Sequence, residues 1–314
     1  MYRKVNYIKF IRDKSVLFFL MLIVVVMSLV NSNFVSTANI INILVQISIY
    51  GIVAFAMTFA IICGEFDLSV SSTFALSTIL FIDFSKRIGI LPSMLVVFMV
   101  GAIIGLFNGV LVSKVKMNAF IATMGTMVAV KGFALFYTDG KPINTTDEII
   151  YSMGNGRILG IPYLILVFFI VLIISEFILK KTNFGRKIYA TGGSEKVAML
   201  AGINVKFYKM IVFVILGVMA SFGGVMLAAR VNAGSALYGS DLALSVVTAV
   251  VIGGTKLTGG KGSAIKTLLG MLMIGVLFNS RTLLGVQAYY QEIIKGIILI
   301  LVVSLDSING KSKG

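Results

Sequence analysis

Between Val16 and Val30 the chain reads VLFFLMLIVVVMSLV, with no charged side chain, and comparable apolar runs recur as far as residue 306. A helix needs about 20 apolar residues to cross the hydrocarbon layer of a bilayer, so each run predicts one crossing. The runs fall at 16–33, 40–62, 68–85, 92–113, 118–138, 162–179, 210–229, 243–254, 265–283 and 291–306. Only short polar stretches separate them, which leaves no length for a separate soluble domain. The expected fold is an all-α, polytopic integral membrane protein of about ten transmembrane helices, some of them broken or half helices. Residues 1–314 then form a single transmembrane domain, with segments 1–15, 180–209 and 307–314 in the cytoplasm.

Two runs stop at glycine before a polar break: MTFAIICGEFDLS, starting at Met57, and VTAVVIGGTKLTGG, starting at Val247. The two form a weak internal echo. Broken helices at corresponding positions of two halves can line a cavity, because their freed backbone groups need polar partners. Gly101, Gly105 and Gly109 repeat at four-residue spacing, as do Ala220, Gly224 and Ala228. Such faces let helix backbones approach closely and predict helix contacts rather than a ligand site.

Composition excludes most chemistry. Hydrophobic residues make up 58% of the chain and charged ones 12%, against about 25% charged in a soluble domain. There is no His and Cys63 is the only cysteine. Disulfides, multi-thiolate metal sites and His-based nucleophile activation are therefore unsupported, and neither catalytic residues, a metal nor another cofactor is expected. The net charge of +15 would suggest nucleic acid in a soluble protein, but its placement argues for topology instead. With the N-terminus inside, 19 of the 27 Lys and Arg fall on the cytoplasmic side, which puts both termini there. No nucleic-acid partner follows from that distribution. The first run exceeds the usual 7–15 apolar residues of a signal peptide, and Ser36-Thr37-Ala38 is a weak cleavage candidate.

The segment GGTKLTGGKGS from Gly253 to Ser263 fails as a phosphate loop, because Lys261 is followed by Gly262 and position 255 is Thr. It reads as a flexible basic turn. Asp67 is placed foremost to cap a helix starting at Leu68, a role compatible with a carboxylate that also lines a pathway. Lys131 either snorkels to the outer face or reaches a cavity, and Glu292 and Lys295, three apart, read first as a structural ion pair, with the same two alternatives. The runs offer scattered Asn, Ser, Thr, Gln and Tyr groups and no cluster of fixed charges, which suits hydroxyl recognition rather than selection of one charge sign. Candidate pathway residues are Asn42, Gln46, Asp67, Asn108, Thr123, Thr126, Lys131 and Asn279.

Several motifs together resemble one family. They are MTFAIICGEFDLSVSS from Met57, NAFIATMGTMVAVKGFALFYTDGKPI from Asn118, TNFGRKIYATGGSEKVAMLAGINV from Thr182, AVVIGGTKLTGGKGS from Ala249 and IIKGIILILVV from Ile293. In this order the chain resembles the permease subunits of ribose-type ATP-binding-cassette sugar importers. The resemblance implies a lipid-embedded unit of the bacterial cytoplasmic (inner) membrane that passes a sugar or sugar-like solute. The implied partners are ATPase subunits in the cytoplasm, an extracytoplasmic sugar-binding protein and a second permease copy, identical or not. It also implies that the loop from Phe184 to Val205 docks on the ATPase, with Phe184, Gly185, Arg186, Tyr189, Gly192, Gly193, Glu195, Ala198 and Gly202 as coupling residues. Gly192-Gly193-Ser194 should break that loop and Glu195 to Leu200 should start a short helix. Related importers carry Glu-Ala-Ala, three residues, then Gly in this loop; here Lys196-Val197-Ala198 precedes Gly202 and Glu195 stands one position early. Two further departures are Ala243-Leu244-Ser245, where many ribose-type members have Glu-Leu-Asp, and Ser71, where glycine is usual. The rival reading is an ion-coupled secondary transporter working without an ATPase, with a cation or proton held near Asp67.

Overall fold

The computed structural model describes residues 2–285 together with 287, 290, 293, 296 and 297. Twelve α-helices follow one another among these residues: α1 Tyr2–Val30, α2 Thr37–Ile62, α3 Val70–Ile88, α4 Ile90–Ser113, α5 Ala119–Thr138, α6 Glu148–Asn155, α7 Tyr163–Lys181, α8 Asn183–Gly193, α9 Glu195–Leu200, α10 Val205–Val231, α11 Leu242–Ile252 and α12 Ala264–Leu283. Four two-residue strands form two small pairs, β1 (Ile143–Asn144) with β4 (Ala233–Gly234) and β2 (Arg157–Ile158) with β3 (Ile161–Pro162). Six helices, α2, α4, α5, α7, α10 and α12, are long and apolar enough to cross a membrane. The expected third run becomes α3, which starts two residues later than expected and carries Asp83, Lys86 and Arg87 near its end. The eighth becomes the short helix α11. The tenth run at 291–306, the pair Glu292 and Lys295 and the tail 307–314 lie outside the described residues.

The core is α2, wrapped by α7, α10, α11 and α12, with Ile52, Val53, Phe55, Met57 and Ile62 fully buried. The four-residue glycine ladder of α4 packs on α10, mainly against its backbone, with the Ser221 hydroxyl also against Gly101. A Cβ on Gly105 would lie 2.2 Å from the Phe213 carbonyl oxygen, and one on Gly101 would lie 2.4 Å from that of Gly217. No rotamer relieves a clash with backbone, so the two helices would have to separate. Gly105→Leu is therefore expected to cost more than the usual ~1–3 kcal/mol of core overpacking. The expected result is a several-fold fall in folded, detergent-stable protein by fluorescence size-exclusion, and an unchanged yield would refute this packing.

Polar residues start the helices where the sequence leaves the membrane runs. Asn118 caps α5 by accepting from Phe120 N at 2.9 Å. Thr182, Ser194 and Asn204 do the same for α8, α9 and α10, accepting from Gly185 N, Val197 N and Phe207 N. Of the break expected at Gly192-Gly193-Ser194, only Ser194 lies between α8 and α9: both glycines remain helical as the last residues of α8, and Ser194 opens the second helix.

Candidate functional site

At one end of the bundle the loop 182–204 folds as a packed module. Phe184 stacks near Tyr208, with ring centroids 5.7 Å apart. Gly185 approaches the Leu179 carbonyl so closely that a Cβ there would sit 2.2 Å from the oxygen. The Tyr189 hydroxyl donates to the Gly262 carbonyl at 2.8 Å. A Cβ on Gly192 would fall 1.7 Å from the Ile62 carbonyl oxygen, so only glycine lets α8 lie against the end of α2. Gly193 is exposed, but its backbone borders Gly260. Arg186 is exposed and bonds Asn183, Ala198 is buried, and Gly202 ends α9 with φ +75°. The coupling candidates therefore divide into those that seat the module and those, Arg186, Gly193 and Gly202, that lie at its surface.

The turn 253–263 is not a free flexible loop. Gly260 N donates to the Ile62 carbonyl at 2.8 Å, and Lys256 N to the Lys261 carbonyl at 3.0 Å. Its far end is fastened by a residue the sequence did not single out. Glu176 on α7 accepts from Ala264 N at 2.8 Å and from Ile265 N at 3.3 Å, taking over the unpaired amides at the start of α12. The two glycine breaks that echo each other in sequence thus touch in space, with Gly192 between them.

Lys209, in the first turns of α10, joins this module to the break after α2. Its ammonium pairs with Glu65 at 2.5 Å and with Glu195. The Lys209 and Glu65 side chains are only 11% and 10% exposed. Burial raises the Glu65 carboxyl above the ordinary range, and the hydrogen bond from Lys209 pulls it back down. Glu195 is thus tied inward by its carboxylate, although its residue is exposed. What α9 turns outward is apolar: Val197, Met199 and Leu200 are 64%, 57% and 83% exposed. The sequence offered a signal for these, since apolar residues in a loop expected to be solvated require a covering partner.

Beyond Glu65 the break is locked by a buried polar network. Asp67 accepts from Ser69 N at 2.7 Å, so its capping role is a tight turn just ahead of α3 rather than the start of a helix at Leu68. Asn108 on α4 donates to the Ser69 hydroxyl at 2.8 Å and to Asp67 at 3.4 Å, and accepts from Thr126 at 2.6 Å. Thr123 accepts from Leu68 N at 3.1 Å. Asp67, Asn108 and Thr126 are therefore joined to one another, Thr123 bonds the backbone next to Asp67, and all four are buried. Asn279 is buried too, in a reciprocal amide pair with Asn39 that ties α12 to α2 at 2.7 and 2.9 Å. Asn42, Gln46 and Lys131, by contrast, are exposed.

The two departures in sequence also meet. Ser71 Oγ accepts from Ala243 N at 2.9 Å, fastening the start of α11 to α3. Beside them the Asp241 carboxylate accepts from Ser245 at 3.2 Å and lies within electrostatic reach of the Tyr50 hydroxyl. Neither Tyr50 nor Asp241 was among the expected pathway residues. A cavity of about 270 Å³ between α4, α6, α7 and α10 lies away from all of these, and its lining of Met94, Val167, Phe222 and Met226 with few polar groups does not suit a sugar.

This architecture, apolar helices interrupted by glycine breaks with a packed helical module at one end, is that of a multi-pass membrane transport component. Residues 39–303 match the model of the family described as branched-chain amino acid transport system / permease component, and the chain belongs to that family. It is a permease component and not an enzyme. It is 38% identical to the ribose import permease protein RbsC of Haemophilus influenzae, over 97% of this chain and 96% of the relative. It is 39% identical to the protein of the same name in Bacillus subtilis, over 91% and 90%. The L-arabinose ABC transporter permease protein AraH of Azospirillum brasilense is 35% identical, over 94% and 87%. No solved structure matches the chain.

Proposed function

We propose that the chain is the membrane-spanning subunit of an ATP-binding-cassette importer and forms the path for a sugar or sugar-like solute. The observation that carries this reading is the near-full-length similarity to permeases named for ribose and arabinose. It coincides with a rigid α8–α9 module whose exposed side chains Val197, Met199 and Leu200 call for a covering partner. That partner is the ATPase, and the α8–α9 end is cytoplasmic. Residues 1–314 act as one permease domain of ten spans, with 1–15, 180–209 and 307–314 in the cytoplasm of a bacterial cell and the spans in its inner membrane. The bias of Lys and Arg toward that side supports this orientation. An extracytoplasmic binding protein supplies solute at the opposite end, and a second permease copy, identical or not, completes the path. The exposed face of α5 suits that second copy or the path itself, since Lys131 lies exposed about 18 Å along the helix from Ala119.

The relatives give no support to the ion-coupled alternative. Gentle purification from the native membrane should recover an ATPase and a second permease with the chain, and added ribose-loaded binding protein should stimulate ATP hydrolysis. A solitary chain that transports without ATP would overturn the reading.

A further inference from the structure

We propose that Asn42, Gln46 and Tyr50 on α2, with Asp241 at the break before α11, form the solute-binding wall of the path, built for a neutral polyhydroxyl solute. This deepens the importer reading and rests on it. The three α2 residues recur at four-residue spacing and so share one face of the helix, a polar ladder about 12 Å long. Asn42 and Gln46 are exposed and Tyr50 is half-buried, although α2 is among the helices long and apolar enough to cross a membrane. Amide side chains exposed on such a helix need water or a polar partner, because lipid offers none.

The ladder ends in the middle of the bilayer, and two independent measures agree on that depth. Tyr50 precedes Ile62, at the α8–α9 end, by twelve residues, or about 18 Å of helix. Asp241 precedes α11, whose eleven residues span about 16 Å down to the same end. A carboxylate at mid-depth is costly and marks a functional position by default. Here Ser245 donates to Asp241 at 3.2 Å, and the Tyr50 hydroxyl lies within electrostatic reach of that carboxylate. Gly239, at φ +66° with Phe74 so close that a Cβ would lie 2.7 Å from its ring, lets the chain turn just before it. Phe74 in turn packs edge-on to Tyr50 at 6.0 Å. Asp241 is half-buried; Ser240 before it and Leu244, one helical turn on, are exposed, while Leu242 and Ala243 pack inward.

The chemistry selects the ligand class. Asn42 and Gln46 each offer two donors and an acceptor oxygen, and Asp241 offers acceptor sites alone. Hydroxyl groups satisfy both kinds, whereas an anion would be repelled by Asp241. Asp241 is accordingly the specificity-determining residue, since removing its acceptor charge leaves a bound hydroxyl without its strongest partner.

The test combines two readouts on the full chain. Cys63 is fully buried, so single cysteines at Asn42, Gln46 and Leu244 can be introduced in a Cys63→Ala background. In native membranes a charged methanethiosulfonate should modify all three at least about tenfold faster than cysteines at the exposed apolar positions Phe169 and Ile173 of α7, because thiolate forms only in water. In vesicles holding the complete complex, Asp241→Asn and Asn42→Leu should each raise the KM for radiolabelled ribose about tenfold or more, the loss expected for one strong hydrogen bond. Asn42 is exposed, so its substitution does not threaten folding. Thiols no faster than the α7 controls would overturn the proposal and assign the ladder to a helix contact. Fast thiols with unchanged KM in both variants would overturn the binding role. A wild-type complex without ATP-dependent ribose uptake would sink the ribose reading instead, while the thiol pattern would still decide whether this wall is wet.

Discussion

Replacing Lys209 by Met is expected to destabilise the protein by about 3–5 kcal/mol, the usual cost of leaving one member of a buried ion pair without its partner. The ammonium is shared between Glu65 and Glu195, and the Lys209 and Glu65 side chains are nine-tenths buried. Without the cation, Glu65 keeps its desolvation cost and gains a like-charged neighbour. Coupled transport should fail as well. Lys209 is the link by which α9 reaches the break after α2, and that break continues through Asp67 and Asn108 to α4 and α5. The double variant Lys209→Met with Glu65→Gln separates the two effects, because it removes both buried charges. Thermal unfolding in detergent should return most of the way to wild type in the double variant, while ATP-driven uptake stays low. If the single variant unfolds and transports like wild type, the link carries neither stability nor coupling.

How much of this was legible in the sequence depends on how local the cause is. The glycine ladder of α4, the Ser194 break between α8 and α9 and the short helix from Glu195 are written in neighbouring residues, and spacing or cap chemistry sufficed to find them. The turn 253–263 was misread as flexible because its anchors, Ile62, Gly192 and Glu176, lie far away in sequence. For the same reason Asn279 looked like a pathway residue, although its partner Asn39 is 240 positions distant. Asp67 and Asn108 were both singled out, yet nothing in their local pattern says that each is the other's partner. Tyr50 and Asp241 were missed for a different reason. A tyrosine inside an apolar run and an aspartate before one each have an ordinary explanation, and only the fold brings the two into electrostatic reach of each other.

The strongest effect on assembly is expected from Leu200→Asp. Leu200 is 83% exposed at the end of α9, and Val197 and Met199 extend the same apolar surface. In the proposed complex these side chains enter the ATPase, where a charge in a desolvated pocket costs as much as the loss of an interface hot spot, about a hundredfold in affinity. Because Leu200 packs against little in the chain itself, expression and membrane insertion should be unchanged, and ATPase recovery on affinity-tagged permease should fall. Ala198→Pro tests the same surface from the inside. It removes the hydrogen bond from Ala198 N to the Ser194 carbonyl, 2.9 Å long, that forms the first turn of α9, and so disperses the apolar cluster without changing its composition. Reversing the charge of exposed Arg186, on the neighbouring helix α8, should weaken association less, since a rim charge acts mainly on the rate of encounter. This order, Leu200→Asp and Ala198→Pro severe and the Arg186 reversal mild, identifies an apolar docking surface. The reverse order would identify a docking surface made by charge, with α9 as a spacer.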